Sequence, residues 1–261
     1  MEQPACAALT MAFRDHFSSI ASQYAAFRPT YPDALFDFIA SLTTRRDLAW
    51  DCATGNGQAA RGIAQRFAHV IATDASAKQI ASAEPIDNVE YRVAPAEASG
   101  LAGASVDLVT VAQALHWLDL ARFFAEVERV VRPGGALAVW GYGDARIEDD
   151  EDVDAIFRSF GRGTVGPYWP KGREVLDNKY QGFALPFAEC VAPSLSLVQE
   201  WTLDQFLGYV RTWSAVQRFI EEHRDDPTVD FAERLRSVWS EPSGTRRVVW
   251  PVWMRASVRS S

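Results

Sequence analysis

A chain of 261 residues, 48% hydrophobic and 23% charged, has the length and composition of a soluble globular protein built as one domain, or as one domain with an insertion. Its net charge of −8 leaves no basic stripe to release counterions, which argues against DNA, RNA or an anionic membrane surface as partner. Three cysteines (Cys6, Cys52, Cys190) without paired spacing point to a reducing compartment and no zinc site. With no basic-then-apolar leader and no apolar run of about 20 residues, the expected location is the cytoplasm.

Residues 13–27 carry a helical pattern that Arg28-Pro29-Thr30-Tyr31-Pro32 stops, because proline disfavours the α conformation in the residue before it. Asp33 is placed to cap a second helix with Leu35, Phe36, Ile39 and Leu42 on its buried face. A first strand follows over 47–52, with Asp51 an acid at its tip, Gly55 and Gly57 in a tight turn, and a helix from Gln58. Turn glycines let the backbone approach a ligand, and a helix start offers N–H donors, so this is a cofactor-binding corner.

Two cofactor classes use such a corner. The run Gly55-Asn56-Gly57-Gln58-Ala59-Ala60 also fits a dinucleotide pattern, with Asp74 about 20 residues on. Asp51 separates the two: a carboxylate beside the turn repels a pyrophosphate and attracts a ligand carrying an ammonium group and a positive sulfur, such as S-adenosylmethionine.

Residues 69–74 predict a second strand ending in Asp74, which suits the two hydroxyls of a ribose or, alternatively, the cap of a helix near Ser76. A third strand over 88–94 leads to Ala96 and Glu97 at the adenine edge. A fourth over 105–111 leads to Gln113-Ala114-Leu115-His116-Trp117, which faces the transferred group in a parallel α/β sheet. An amphipathic helix over 120–131 ends at Arg132-Pro133-Gly134-Gly135, and a fifth strand follows. The acid-rich run over 144–154 reads as a solvated helix start. Beyond it the spacing predicts a strand at 194–201, helices at 203–222 and 231–239, and a late strand at 246–257 that Pro251 makes an edge or a bulge. Some of the later tryptophans, from Trp169 to Trp253, are candidates to line an apolar pocket.

Five stretches then carry a family likeness: YAAFRPTYP (24–32), AWDCATGNGQAA (49–60), QALHW (113–117), RPGG (132–135) and LGYVRTWSAV (207–216). The chain resembles class I S-adenosylmethionine-dependent methyltransferases, and more narrowly the branch related to trans-aconitate methyltransferase. The resemblance implies an α/β, Rossmann-like fold with a mostly parallel seven-stranded sheet and a mainly helical lid inserted between late strands. It divides the chain into N-terminal helices that close the site (1–45), a cofactor-binding core (46–145), a substrate lid (146–245) and a returning strand (246–261). It implies S-adenosylmethionine as cofactor, with S-adenosylhomocysteine as product. Asp51, Ala53, Gly55 and Gly57 would hold its methionine part, Asp74 and Ala75 the ribose, and Ala96 and Glu97 the adenine. Tyr24 and Arg28 would close over it, and Gln113, His116 and Trp117 would sit beside the methyl group. Ala53 departs from the pattern, which often has glycine there. Tyr31, Tyr142, Trp169, Arg173, Tyr209 and Trp213 are the acceptor-side candidates.

An ionised carboxylate acceptor needs no general base, only local positive charge, for which Arg28, Lys171, Arg173 and Arg211 are the candidates. A phenol or amine acceptor would make His116 the base. A dinucleotide-dependent oxidoreductase, or a silent cofactor-binding module, is the reading from another class. The partner in each active reading is a small molecule, and the protein a monomer or homodimer.

Overall fold

The computed structural model describes residues 29–170, 176–239, 241 and 243–261. The expected helix over 13–27 and the candidates Tyr24, Arg28, Lys171 and Arg173 lie outside them. The strands are β1 Leu48–Cys52, β2 His69–Asp74, β3 Val89–Val93, β4 Val106–Ala112, β5 Val131–Tyr142, β6 Arg146–Ile147, β7 Ala188–Cys190, β8 Leu195–Trp201 and β9 Arg246–Val258. They form one mixed, open sheet of nine strands, two more than the seven expected: the main path is β3-β2-β1-β4-β5-β9-β6, and β7 and β8 are added on β9. Strands β1 to β5 are parallel, and β9 runs antiparallel beside β5.

Helices α1 (Asp33–Ser41), α2 (Gln58–Ala64), α3 (Ala77–Ala81) and α4 (Leu120–Val130) accompany the parallel strands, and α5 (Glu151–Ser159), α6 (Leu203–Arg211), α7 (Ser214–His223) and α8 (Thr228–Val238) the later region. Strand alternation divides the core. Leu108, Ala136, Ala138 and Trp140 point to the face covered by α1, α2 and the later helices, and Val109, Val111, Leu137 and Val139 to the face covered by α4. That β4 is buried along both faces is why its apolar residues run on without clean alternation.

Two details, one polar and one of packing, hold the sheet and its covering helices in place. The Asp107 carboxylate accepts the Asp47 and Leu48 backbone N–H groups at 2.8 and 2.9 Å and pairs with Arg132 at 3.2 Å, which anchors the entry of β1. On the other face α1 packs into α2 at Gly62, where an added Cβ would stand 2.2 Å from the Phe36 ring. Gly62→Ala is therefore expected to lower stability by about 1–3 kcal/mol through overpacking, read as an earlier urea midpoint with an unchanged slope.

The structure departs from the sequence pattern in four places. Asp33 does not cap α1: Pro32 holds the cap position, and Asp33 pairs with Arg66 instead. The helix expected over 203–222 is two helices, because the Thr212 hydroxyl donates to the Tyr209 carbonyl at 2.6 Å and Trp213 turns extended. The acid run does more than meet water: Asp150 caps α5 and pairs with Arg246, and buried Asp154 accepts the Ile147 N–H. Pro251 lies in an interior strand rather than at an edge or bulge. It is tolerated because the flank of β9 passes there from β5, which pairs up to Val252, to β6, which pairs at Val248 and Val249. Among the described residues no helix is long and apolar enough to cross a membrane.

Candidate cofactor and acceptor site

Asp51 is not at the tip of β1 but inside it, fully buried. Its carboxylate accepts from the Thr54 hydroxyl at 2.5 Å and the Thr110 hydroxyl at 2.7 Å. Burial pushes its pKa up to about 6, against the pull of those two hydroxyls, and the Asp74 charge adds to the rise. The chain then makes a turn with three left-handed residues, Ala53 (φ 54°), Gly55 (φ 58°) and Gly57 (φ 87°). Glycine is required at Gly57, where a Cβ would meet the Tyr91 hydroxyl at 2.4 Å. The alanine at position 53 thus adds backbone strain, of about 1–3 kcal/mol, rather than mere narrowing of the space.

Asp74 closes this corner. One of its oxygens accepts the Gly55 N–H at 2.9 Å and the other the Ser76 N–H at 2.8 Å. The helix-cap role open to Asp74 belongs to Ser76, whose side chain accepts from Gln79 at the start of α3, and Ala75 beside it is exposed. On the next loop Ala96 is buried, and the Glu97 carboxylate accepts the Asp119 N–H at 3.2 Å, tying that loop to the start of α4.

Past β4, Gln113 stands at φ 56°, a left-handed conformation for a side-chain-bearing residue and a form of strain that gathers at functional sites. Its backbone N–H donates to the Trp140 carbonyl at 2.9 Å and its amide to the Tyr142 carbonyl at 3.2 Å, so β4 and β5 are locked together at their carboxyl ends. A short 3-10 turn, Leu115–Trp117, presents His116 with its ring 4.7 Å from that of Trp117, which is 45% exposed. Tyr31 arrives from the N-terminal side, its ring 5.6 Å from Trp140 and 6.4 Å from Tyr142.

The described candidates thus fall into one row along the carboxyl ends of β1, β2, β4 and β5. The later aromatics do not join it as open walls. Tyr209 and Trp213 are buried in the core formed by the later helices, the Tyr209 hydroxyl accepting the Trp250 indole N–H at 3.0 Å, and the Trp169 ring lies 5.3 Å from that of Trp213, tilted by 46°. Arg211 is exposed and donates to Thr228. Sequence reasoning missed Thr54, Thr110 and Tyr180, whose hydroxyl stands 3.4 Å from His116 Nδ1. Thr110 left a signal, a polar residue in an apolar strand; Tyr180 left none.

An open sheet with five parallel strands, an antiparallel strand beside the fifth, and a glycine turn over a buried acid is the Rossmann-like methyltransferase fold. A model of the methyltransferase domain matches residues 50–139. A solved structure of an Anaeromyxobacter dehalogenans protein described as a type II methyltransferase is 41% identical, covers 90% of this chain and all of that one, and superposes with a TM-score of 0.84. A Dictyostelium discoideum protein classed as a methyltransferase is 36% identical over 93% of this chain and 94% of its own length. A Saccharomyces cerevisiae protein classed as an S-adenosylmethionine-dependent methyltransferase is 26% identical over 80% of this chain and 83% of its own. The chain belongs to the class I S-adenosylmethionine-dependent methyltransferases.

Proposed function

We propose that the chain transfers a methyl group to an oxygen of a small carboxylic acid, as in the trans-aconitate-related branch, with S-adenosylmethionine held at the β1–β2 corner. The supporting observation is the buried Asp51 carboxylate under a turn that only glycine can complete at Gly57, with Asp74 hydrogen-bonded to the same turn. That donor set suits a cationic ligand with a ribose and disfavours a pyrophosphate.

When bound, the cofactor supplies an electrophilic methyl group on a positive sulfur. Asp51 provides the negative field beneath that charge, Asp74 keeps acceptor capacity on both carboxylate oxygens for ribose hydroxyls, and Ala96 and Glu97 border the base. Gln113, His116 and Trp117 lie where β4 faces the reacting centre, with Tyr31 and Tyr142 beside them. A carboxylate is ionised at neutral pH, so these residues need only orient it and exclude water, and orientation accounts for about 7–11 kcal/mol of barrier lowering in favourable cases.

A labelled-methyl assay over mono-, di- and tricarboxylic acids, with phenols and amines alongside, tests this reading. Labelling of an acid supports it; labelling confined to phenols or amines contradicts it. His116→Ala sharpens the result. On an acid the variant is expected to lose about tenfold or less and to keep the shape of its pH–rate profile, as befits one lost hydrogen bond. A loss of about 10²–10⁴-fold with an altered profile would instead mark His116 as a base.

A further inference from the structure

We infer that the Trp140 indole N–H is a donor to the methyl acceptor, holding one carboxylate oxygen of the acid while the other meets the methyl group. The choice of a carboxylate rests on the reading above; the orphaned donor does not.

Trp140 stands two residues before the end of β5 and is fully buried. Its Nε1 nevertheless has no hydrogen-bond partner among the described residues. A buried indole N–H usually finds one, because leaving it unmade costs the full desolvation of the group. Trp50, Trp239 and Trp250 are buried as deeply. They donate to the Thr73 hydroxyl at 2.9 Å, the Gly244 carbonyl at 2.9 Å and the Tyr209 hydroxyl at 3.0 Å. The orphaned donor therefore belongs to this position and not to tryptophan in this core.

The register of the sheet places that donor beside the reacting centre. Asp51 of β1 lies next to Thr110 of β4, and Trp140 lies next to Ala112, two residues further along the same strand. Side chains two apart on a strand share a face, so the indole stands on the face that carries the Asp51 carboxylate, one step nearer the carboxyl ends. Ala112 is small and only half-buried, which leaves the floor beside the indole within reach of a ligand. The Tyr31 ring meets that of Trp140 edge-on, at 88° and 5.6 Å, and Tyr142 is the next side chain of β5 on that face. The Trp140 carbonyl accepts the N–H of strained Gln113, which ties the donor to the residue at the exit of β4. With the sulfonium over Asp51, the next step outward on this face falls to the second reactant. A carboxylate loses its charge as the methyl group arrives, so this donor binds the free acid at least as well as the transition state. Its loss therefore falls on KM and spares kcat.

The test is proton–nitrogen NMR of the indole groups of the full chain, with Trp140→Phe to assign one signal among the nine tryptophans. The protein is saturated with S-adenosylhomocysteine and titrated with each acid of the methyl-transfer panel. The Trp140 indole proton should move downfield with the acid that is methylated, and not with S-adenosylhomocysteine alone. Trp140→Phe keeps an aromatic ring and removes the donor. It should raise KM for that acid about 10–100-fold, with kcat and S-adenosylhomocysteine affinity nearly unchanged. A panel in which no acid moves the signal, a signal that moves fully with S-adenosylhomocysteine alone, or an unchanged KM in the variant overturns the inference. Should that variant fail to fold, single phenylalanine variants of the other tryptophans identify the same signal by elimination, and the titration of the native protein decides. A methylated acid that leaves the signal in place sinks this inference alone; a shift with acids that are never methylated sinks only the carboxylate-transfer reading.

Discussion

Asp51→Asn is expected to move stability and binding in opposite directions. In the native protein the Asp51 pKa rises from 3.8 to about 6 because the carboxyl is wholly buried. A folded-state pKa above the unfolded one means the native state holds the extra proton between those two values, so stability declines as pH rises from about 4 to about 6 and is level above that. The shift corresponds to about 3 kcal/mol, an order-of-magnitude figure, of destabilisation at pH 7 in the absence of ligand. Asparagine keeps the shape and hydrogen-bonding capacity toward Thr54 and Thr110 without the charge. The variant should therefore melt at or above the native temperature at pH 7, and its melting point should be nearly flat over the interval where the native one falls. Affinity for S-adenosylmethionine should drop by about 2–4 kcal/mol, since a buried charge opposite the ligand is gone. A variant that melts lower and binds as well would show that Asp51 serves only the fold.

The second large effect is expected at Gly57→Ala. The residue stands at φ 87°, where a side chain costs about 1–3 kcal/mol of backbone strain. In addition the new Cβ would meet the Tyr91 hydroxyl at 2.4 Å and the ring carbons at 2.9 and 3.0 Å. Tyr91 sits on β3 across the opening of the turn, so relief moves either that strand or the turn itself. A total loss of about 2–4 kcal/mol follows, which lowers the melting temperature by about 5–15 °C and leaves a folded protein. Binding of S-adenosylhomocysteine should weaken more than stability does, because the distortion is centred on the ligand side. Gly55→Ala provides the contrast: its Cβ would have only the Gln79 side chain near it, at 3.9 Å, so any loss there is strain without a clash. Calorimetric titration of the two variants side by side separates the contributions.

Much of the core was legible because its signals are local. Strand β2 begins and ends where the apolar run from His69 to Asp74 does, and α4 follows the three- and four-residue spacing of Phe123, Val127 and Val130. The corner at Asp51, Gly55, Gly57 and Asp74 was legible too, since turn chemistry and an acid at a strand end are written in neighbouring residues. What escaped was long-range. The Asp51–Thr110 bond spans 59 residues and His116–Tyr180 spans 64, and no pattern along the chain records either. The later aromatics misled for a related reason: Tyr209 and Trp213 have the composition of a pocket wall, but Tyr209 packs against Trp201 and Trp250, brought in by β8 and β9, and Trp213 against Phe157 and Phe160. Pro251 misled because an interior strand tolerates proline only where its neighbour changes, which is a property of the sheet and not of the strand.

On the proposed function, the buried Asp51 carboxylate selects a cationic sulfur ligand over a phosphorylated one. Calorimetric titration at pH 7 of the native protein and Asp51→Asn, each with S-adenosylmethionine and with NAD, examines that choice directly. The predicted result is tight binding of S-adenosylmethionine to the native protein only, and no heat from NAD with either. Comparable binding of NAD to the native protein, or undiminished binding of S-adenosylmethionine by the variant, would contradict it.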